Sequence, residues 1–263
     1  MCELLGMSAN VPTDICFSFS GLMQRGGKTG PHSDGWGITF YEGKGCRTFR
    51  DPKPSCESRV AELVKDYPIK SQAVISHIRQ ANRGGIALEN THPFTREFWG
   101  KNWTYAHNGQ LTDYSELLTG FYNPIGETDS ELAFCWILHQ VSREFPQQPA
   151  DMRDVFTFIA RLAEQLRELG VFNMLLTDGD FIFAYCTNNL HYITRKAPFG
   201  HAKLIDEDIA INFENETSDS DIVAVIATQP LTNNEAWHKM QPGEYCVFCR
   251  GKIVASNSLQ ASD

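Results

Sequence analysis

The chain has 263 residues, 42% of them hydrophobic and 21% charged, with a formal net charge of −9. That size and balance suit a single domain spanning 1–263 with a buried core. An acidic chain with no run of Lys and Arg argues against nucleic acid or an anionic membrane as its main partner.

In chain order, 36–41 and 72–78 read as strands, with a weaker helix pattern at 57–66 between them. A strand follows at 102–106 and a second weak helix at 112–119. Two strong helices come next, at 129–144 and 151–169. The first opens with a capping box, Thr128-Asp129-Ser130-Glu131. The second sets Val155, Phe158, Ile159, Leu162 and Leu166 on one face and is closed by Gly170. Strands then recur at 171–177, 180–186, 190–194, 222–228 and 244–249. The stretch 206–221, rich in Asp and Glu, reads as an acidic surface loop. Strands outnumber helices and short turns join many of them, so the sheets are expected to be mainly antiparallel. Sheet on sheet with helices outside is one consistent arrangement.

Eight cysteines lack the spacing of a disulfide framework. The opening residues Met1-Cys2-Glu3-Leu4-Leu5 carry neither a basic stretch nor a long apolar run, which leads to the expectation of a cytoplasmic protein with free thiols. Cys246 and Cys249 form a lone CxxC in an extended run, where the spacing sends the thiols to opposite faces. A zinc site would need two further ligands, so the pair is read as structural.

Six places carry candidate chemistry. Met1 is expected to be removed because Cys2 is small. Removal puts an α-amine titrating at about 7.7–8.0 beside a thiol near about 8.5, giving one residue a nucleophile and a proton acceptor. Alone, Cys2 is one thiol among eight. The run His32-Ser33-Asp34-Gly35-Trp36-Gly37 is either a turn before an edge strand or a turn whose glycines let backbone approach another segment, such as the N-terminus. Arg79, ending the strand Ser76-His77-Ile78, pairs with an internal acid or waits for a ligand carboxylate, which its planar fork suits. His92, held extended before Pro93, faces a pocket or solvent. Asn108-Gly109 is either a type I′ hairpin turn or an amide and a backbone N–H converging on an oxyanion, where each donor is worth about 100–1,000-fold in rate. Asp129 serves the helix dipole or receives a ligand ammonium group.

The ordered set narrows these choices. A free amino acid with an amide side chain needs complements for its α-carboxylate, its α-ammonium and its carbonyl oxygen. Arg79, Asp129 and the Asn108/Gly109 pair are those complements, and Cys2 is the attacking group. With Cys2, His77-Ile78-Arg79, Asn90-Thr91-His92-Pro93, His107-Asn108-Gly109 and Glu127-Thr128-Asp129 in this order, the chain resembles a class II glutamine amidotransferase domain of the N-terminal nucleophile (Ntn) hydrolase superfamily. The distal Ala227-Thr228-Gln229-Pro230-Leu231 stretch, continuing through Trp237 to Glu244, looks like the end of such a domain.

The resemblance implies an α+β fold, a four-layer αββα sandwich of two mainly antiparallel sheets with helices outside. It implies Cys2 as nucleophile with its own amine as base, and Asn108 and Gly109 as oxyanion hole. It implies that Arg79 grips the substrate carboxylate and Asp129 its amino group, with Asn82, His92 and His107 lining the glutamine pocket. Neither metal nor cofactor is expected. Members fused to a synthase usually continue after the arginine with Trp and a Thr-His pair, whereas this chain has Gln80-Ala81-Asn82, so contacts that signal to a synthase are not carried over. His-x-Asp-Gly-Trp-Gly is closer to the stand-alone, YafJ-like branch, which is similar to hydrolases of γ-glutamyl compounds in glutathione and ergothioneine metabolism. At this length a synthase domain is not expected.

The expected reaction is hydrolysis of the glutamine side-chain amide through a Cys2 thioester. Its nearest rival is the same chemistry on a γ-glutamyl amide or peptide. A metallohydrolase using His32, Asp34, His77, His92 and His107 is a rival of another class, and a binding module without turnover is a third. The expected partner is a small molecule, with a protein partner as ammonia acceptor or complex subunit left open.

Overall fold

The computed structural model describes residues 2–82, 84–213 and 218–258. Met1, whose removal is expected, lies outside the described residues, as do Glu214 and Glu216 of the acidic segment.

The first half of the chain contains β1 (Glu3–Thr13), α1 (Cys16–Arg25), β2 (Trp36–Glu42), β3 (Gly45–Asp51), α2 (Arg59–Asp66), β4 (Ser71–Ile78), β5 (Phe94–Phe98) and β6 (Lys101–Leu111). Next come α3 (Asp129–Glu144), α4 (Arg153–Glu168), β7 (Gly170–Thr177), β8 (Ile182–Tyr185) and β9 (His191–Lys196). The remainder is β10 (His201–Lys203), β11 (Ala210–Asn212), β12 (Ile222–Ala227), β13 (His238–Lys239), β14 (Tyr245–Cys249) and β15 (Lys252–Ser256). Two sheets form, in the orders β13-β9-β12-β1-β4-β2-β3 and β15-β14-β8-β7-β6-β5, while β10 and β11 pair by themselves.

Three apolar layers follow from the two-residue period of the strands. Leu4, Ile75, Ala224 and Ile226 of the first sheet meet Ala106, Leu175, Ile182 and Ala184 of the second. The alternate residues Leu5, Met7, Val74 and Val225 turn outward under Phe19 and Leu22 of α1 and Val64 of α2. On the other outer face, Tyr105, Phe172, Met174 and Leu176 pack beneath Phe134, Ile137, Ile159 and Leu162 of α3 and α4. The result is the expected αββα sandwich.

The sandwich explains where the chain departs from its sequence pattern. β1 carries Leu4-Leu5-Gly6-Met7 because it is covered on both faces, so it shows no clean alternation. The weak helix expected at 112–119 is only a 3-10 turn, Tyr114–Glu116. Asp113 before it has φ 53°, and Leu118 nearby is 75% exposed, so no apolar face is buried to stabilise a helix there. The 206–221 segment is not simply a surface loop. It contains β11, its Asp206 forms a largely buried ion pair with Arg25 at 2.7 Å, and its Glu207 pairs with Lys65. The capping box is half formed: Thr128 Oγ1 accepts from Glu131 N at 3.2 Å. The Glu131 carboxylate instead binds Arg96 and the N–H groups of Ile125 and Gly126. Both thiols of the CxxC are free, Cys246 buried between the sheets and Cys249 partly exposed.

Candidate active site

Cys2 directly precedes β1, which lies in the middle of its sheet between β12 and β4. Its Sγ accepts a hydrogen bond from Gln80 N at 3.3 Å and lies 3.5 Å from Gln80 O. Burial pushes the thiol up from its ordinary range, opposed by the Gln80 N–H and the nearby Arg79 guanidinium. Gln80 reaches this position because β4 pairs with β1, with Ile78 opposite Glu3.

Arg79 is 3% exposed. Its guanidinium donates to the carbonyls of Gly84, Gly85 and Asp34 at 3.2, 3.0 and 3.4 Å. Cys2, Asp34 and Asp129 act on it electrostatically. The His32–Gly37 turn holds this segment in place: Gly35 O accepts from Arg79 N at 2.8 Å, and Asp34 Oδ2 from Ala81 N at 2.7 Å. The turn's glycines are therefore matched to Arg79–Ala81 and to His92 rather than to the N-terminus, since a Cβ on Gly37 would fall 2.3 Å from His92 O. The strand it leads into, β2, is interior and not an edge.

Asn108 and Gly109 lie within β6, opposite Asn173 and Phe172 of β7, so the hairpin-turn reading is overturned. Gly109 is required by packing, because a Cβ there would sit 1.7 Å from Val171 O. Asn108 is fully buried, and its Nδ2 donates to Thr228 Oγ1 at 3.2 Å. The same hydroxyl accepts from Leu4 N at 2.9 Å, and Leu4 O accepts from Thr228 N. Thr228 thus ties the carboxamide of one sheet to the strand that begins at the cysteine in the other. Asn108 Oδ1 is buried with no partner among the described residues. Asn173 fixes the Asn108 carbonyl from behind with a 3.0 Å bond.

Asp129 opens α3, and its Oδ2 accepts from Leu111 N at 2.7 Å. Asn90 joins the two loops beside it, donating to Gly85 O and accepting from Glu127 N at 2.8 Å. A small cleft of about 30 Å³ is lined by Arg79, Asn82, His92, Gly109 and Asp129, with Gln80 also on its wall. Cys2 and Asn108 are not on this lining but one residue behind it, Cys2 hydrogen-bonded to Gln80 and Asn108 preceding Gly109.

His107 stands apart from that wall. Its Nδ1 faces Ser130 Oγ at 2.8 Å and its Nε2 faces Val171 O at 3.1 Å. It supports β6 and α3 rather than lining the cleft. His77 and His92 are stacked at 4.2 Å between ring centroids. Burial drives His77 down to about 3 and His92 well below its usual value, so both are neutral at pH 7. Among the described residues, no group of three or more His, Cys, Asp or Glu is arranged to hold a metal ion.

Thr228, Gln80, Asn90 and Ser130 stand in the quoted motifs, but the sequence assigns none of them a role of its own. Thr228 does leave a trace, as a lone hydroxyl ending the apolar run Ile222–Ala227. Gln80 acts through its backbone N–H, Asn90 on backbone groups and Ser130 on the His107 ring, contacts that only the fold brings about.

The sequence model described as class II glutamine amidotransferases matches residues 1–263. A protein named as a candidate glutamine amidotransferase, YafJ of Escherichia coli (strain K12), is 67% identical over 97% of this chain and 100% of its own length. A similarly named protein of Haemophilus influenzae is 47% identical over 97% of this chain and 86% of its own. The crystal structure of a predicted glutamine amidotransferase from Pseudomonas aeruginosa superposes with a TM-score of 0.78 at 50% identity, over 97% of this chain and all of that one. Glutamine phosphoribosylpyrophosphate amidotransferase from Bacillus subtilis shares the fold at TM-score 0.65 and 16% identity, over 97% of this chain and 49% of that one.

Proposed function

The chain belongs to the class II glutamine amidotransferases and is an enzyme of that family, and we propose that it hydrolyses the side-chain amide of glutamine through a Cys2 thioester. One observation carries the reading: folding brings the start of the chain against Arg79–Gln80 and, through Thr228, against Asn108.

In this mechanism Met1 is removed and the freed α-amine of Cys2 takes the thiol proton. Sγ attacks the γ-carbonyl carbon, and the carbonyl electron pair moves to oxygen. Asn108 Nδ2 and Gly109 N–H meet that oxyanion, two fixed donors in a site with little water. The tetrahedral adduct collapses with loss of the amide nitrogen, which leaves as ammonia carrying the proton from the Cys2 ammonium. Water, deprotonated by the same amine, then attacks the thioester; glutamate departs and the thiol is restored. Arg79 takes the α-carboxylate and Asp129 the α-ammonium of the substrate. His92 is neutral and buried, so it closes the wall without adding charge, and Asn82 lies at the mouth. A space of about 30 Å³ holds little more than a water, so the cleft widens when an amino acid binds.

A γ-glutamyl amide or peptide presents the same carboxylate, ammonium and carbonyl to the same residues, and differs only in its leaving amine. Steady-state rates for glutamine and γ-glutamyl dipeptides, measured on processed protein, separate the two. Faster turnover of glutamine is expected. A Cys2→Ala protein that still releases ammonia at the wild-type rate would remove the mechanism altogether. Among the described residues, no helix is long and apolar enough to cross a membrane.

A further inference from the structure

A cavity of about 440 Å³, much larger than the catalytic cleft, opens at the other end of β1. Val11, Pro12 and Thr13 rim it, roughly 30 Å along the strand from Cys2 at the usual rise per residue. Its volume is in the range of small-molecule sites. The floor is Met7, Val223 and Val225. Phe17, Phe199 and Phe213 form an aromatic wall, with Phe213 edge-on to Phe17 at 5.6 Å and the Arg195 guanidinium 5.4 Å from its ring centre.

Two buried hydroxyls give this cavity its polarity. Ser18 and Ser20 both line it, are 6% and 5% exposed, and have no side-chain hydrogen bond among the described residues. Lining the cavity, both hydroxyls are open to a ligand whose polar edge can donate to or accept from them. They also sit on α1, whose N-cap residue, Ile15, contributes no side-chain cap.

The charges around the mouth balance: Asp14, Asp66 and Asp221 face Lys65, Lys70 and Arg195, with Asp66 and Lys70 exposed to solvent. Asp14 Oδ1 accepts from Cys16 N at 3.3 Å at the start of α1. Arg195 is forked onto Glu235 by two 2.7 Å bonds, and Lys65 pairs with Glu207 at 3.2 Å. With three acids and three bases, the lining offers no excess of either sign to select an ion, and a neutral ligand leaves the Arg195 and Lys65 pairs intact. We propose that this cavity binds a flat, uncharged heteroaromatic small molecule whose ring edge or substituent carries hydrogen-bonding groups. Its ring packs on the phenylalanines and its polar edge meets Ser18 and Ser20.

Adenine, uracil and nicotinamide are suitable probes, tested against the full-length processed enzyme by saturation-transfer NMR and titration calorimetry. At least one binds the wild type. The Ser18→Ala/Ser20→Ala double variant weakens that binding about tenfold, the loss of roughly one or two net hydrogen bonds. Ser20→Phe, which fills the cavity, abolishes it while the circular dichroism spectrum and ammonia release from glutamine persist. The proposal is overturned if none of the three binds, if affinity is unchanged in the double variant, or if saturating glutamine competes the probe away from Cys2→Ala protein, which would place it in the catalytic cleft.

Discussion

Replacing Thr228 by Val keeps the shape of a residue that is 2% exposed and removes only its hydroxyl. Two donors lose their acceptor, Leu4 N at 2.9 Å and Asn108 Nδ2 at 3.2 Å, and neither Leu4 nor Asn108 has exposed surface through which water could replace it. At about 1–3 kcal/mol per orphaned buried donor, the loss is about 2–6 kcal/mol. For a domain of this size that is a Tm lower by about 5–20 °C. The kinetic effect is the more informative one. Thr228 orients the Asn108 carboxamide, and a misaimed oxyanion donor lowers kcat by about 10–100-fold, below the full effect of losing the donor. KM should move little, because Arg79 and Asp129 are untouched. Thermal unfolding and steady-state ammonia release on Thr228→Val and Thr228→Ser supply the comparison. Thr228→Ser, which keeps the hydroxyl, restores most of kcat. A Thr228→Val enzyme with lowered Tm but wild-type kcat per folded molecule would refute the positioning argument and leave Thr228 a structural residue.

Gly109→Ala places a methyl 1.7 Å from Val171 O across a central ladder, so it should yield little folded protein, measured as soluble expression and helical circular dichroism. Asp129→Asn removes the charge that meets the substrate ammonium while retaining an oxygen for Leu111 N; it should raise KM for glutamine tenfold or more, at a cost of about 1–3 kcal/mol in stability. Stability should fall in acid because of the buried histidines. His77 protonates near 3 when folded and near 6.5 when unfolded, so between these values the unfolded chain binds the extra proton and stability declines as pH falls. From pH 6.5 to 5 His77 accounts for about 2 kcal/mol, and urea midpoints of wild type and His77→Gln test it: the variant should show a shallower acid slope.

Most of the architecture was legible because the strongest patterns are local. The helix expected at 129–144 is α3, residue for residue, since its cap at Thr128 and its apolar face are both in the sequence. β2, β4, β7 and β12 were visible as short β-branched and aromatic runs. β1 was not, because Leu4-Leu5-Gly6-Met7-Ser8-Ala9 carries no β-branched or aromatic residue to mark it as a strand. The site was legible only as residue types in order. Spacing said nothing about His107 turning to Ser130 and Val171, nor about Asn108-Gly109 extending a strand instead of turning. Both depend on β6 pairing with β7 some sixty residues later. Thr228 was hidden for the same reason: its partners, Leu4 and Asn108, are 224 and 120 residues away.

The nucleophile is the claim on which the rest stands, and covalent trapping reaches it directly. Processed enzyme is incubated with a diazo-ketone analogue of glutamine, digested, and read by tandem mass spectrometry. A single adduct on the N-terminal Cys2 peptide, blocked by excess glutamine, is the expected result. An unmodified Cys2 in protein that still releases ammonia from glutamine would contradict it.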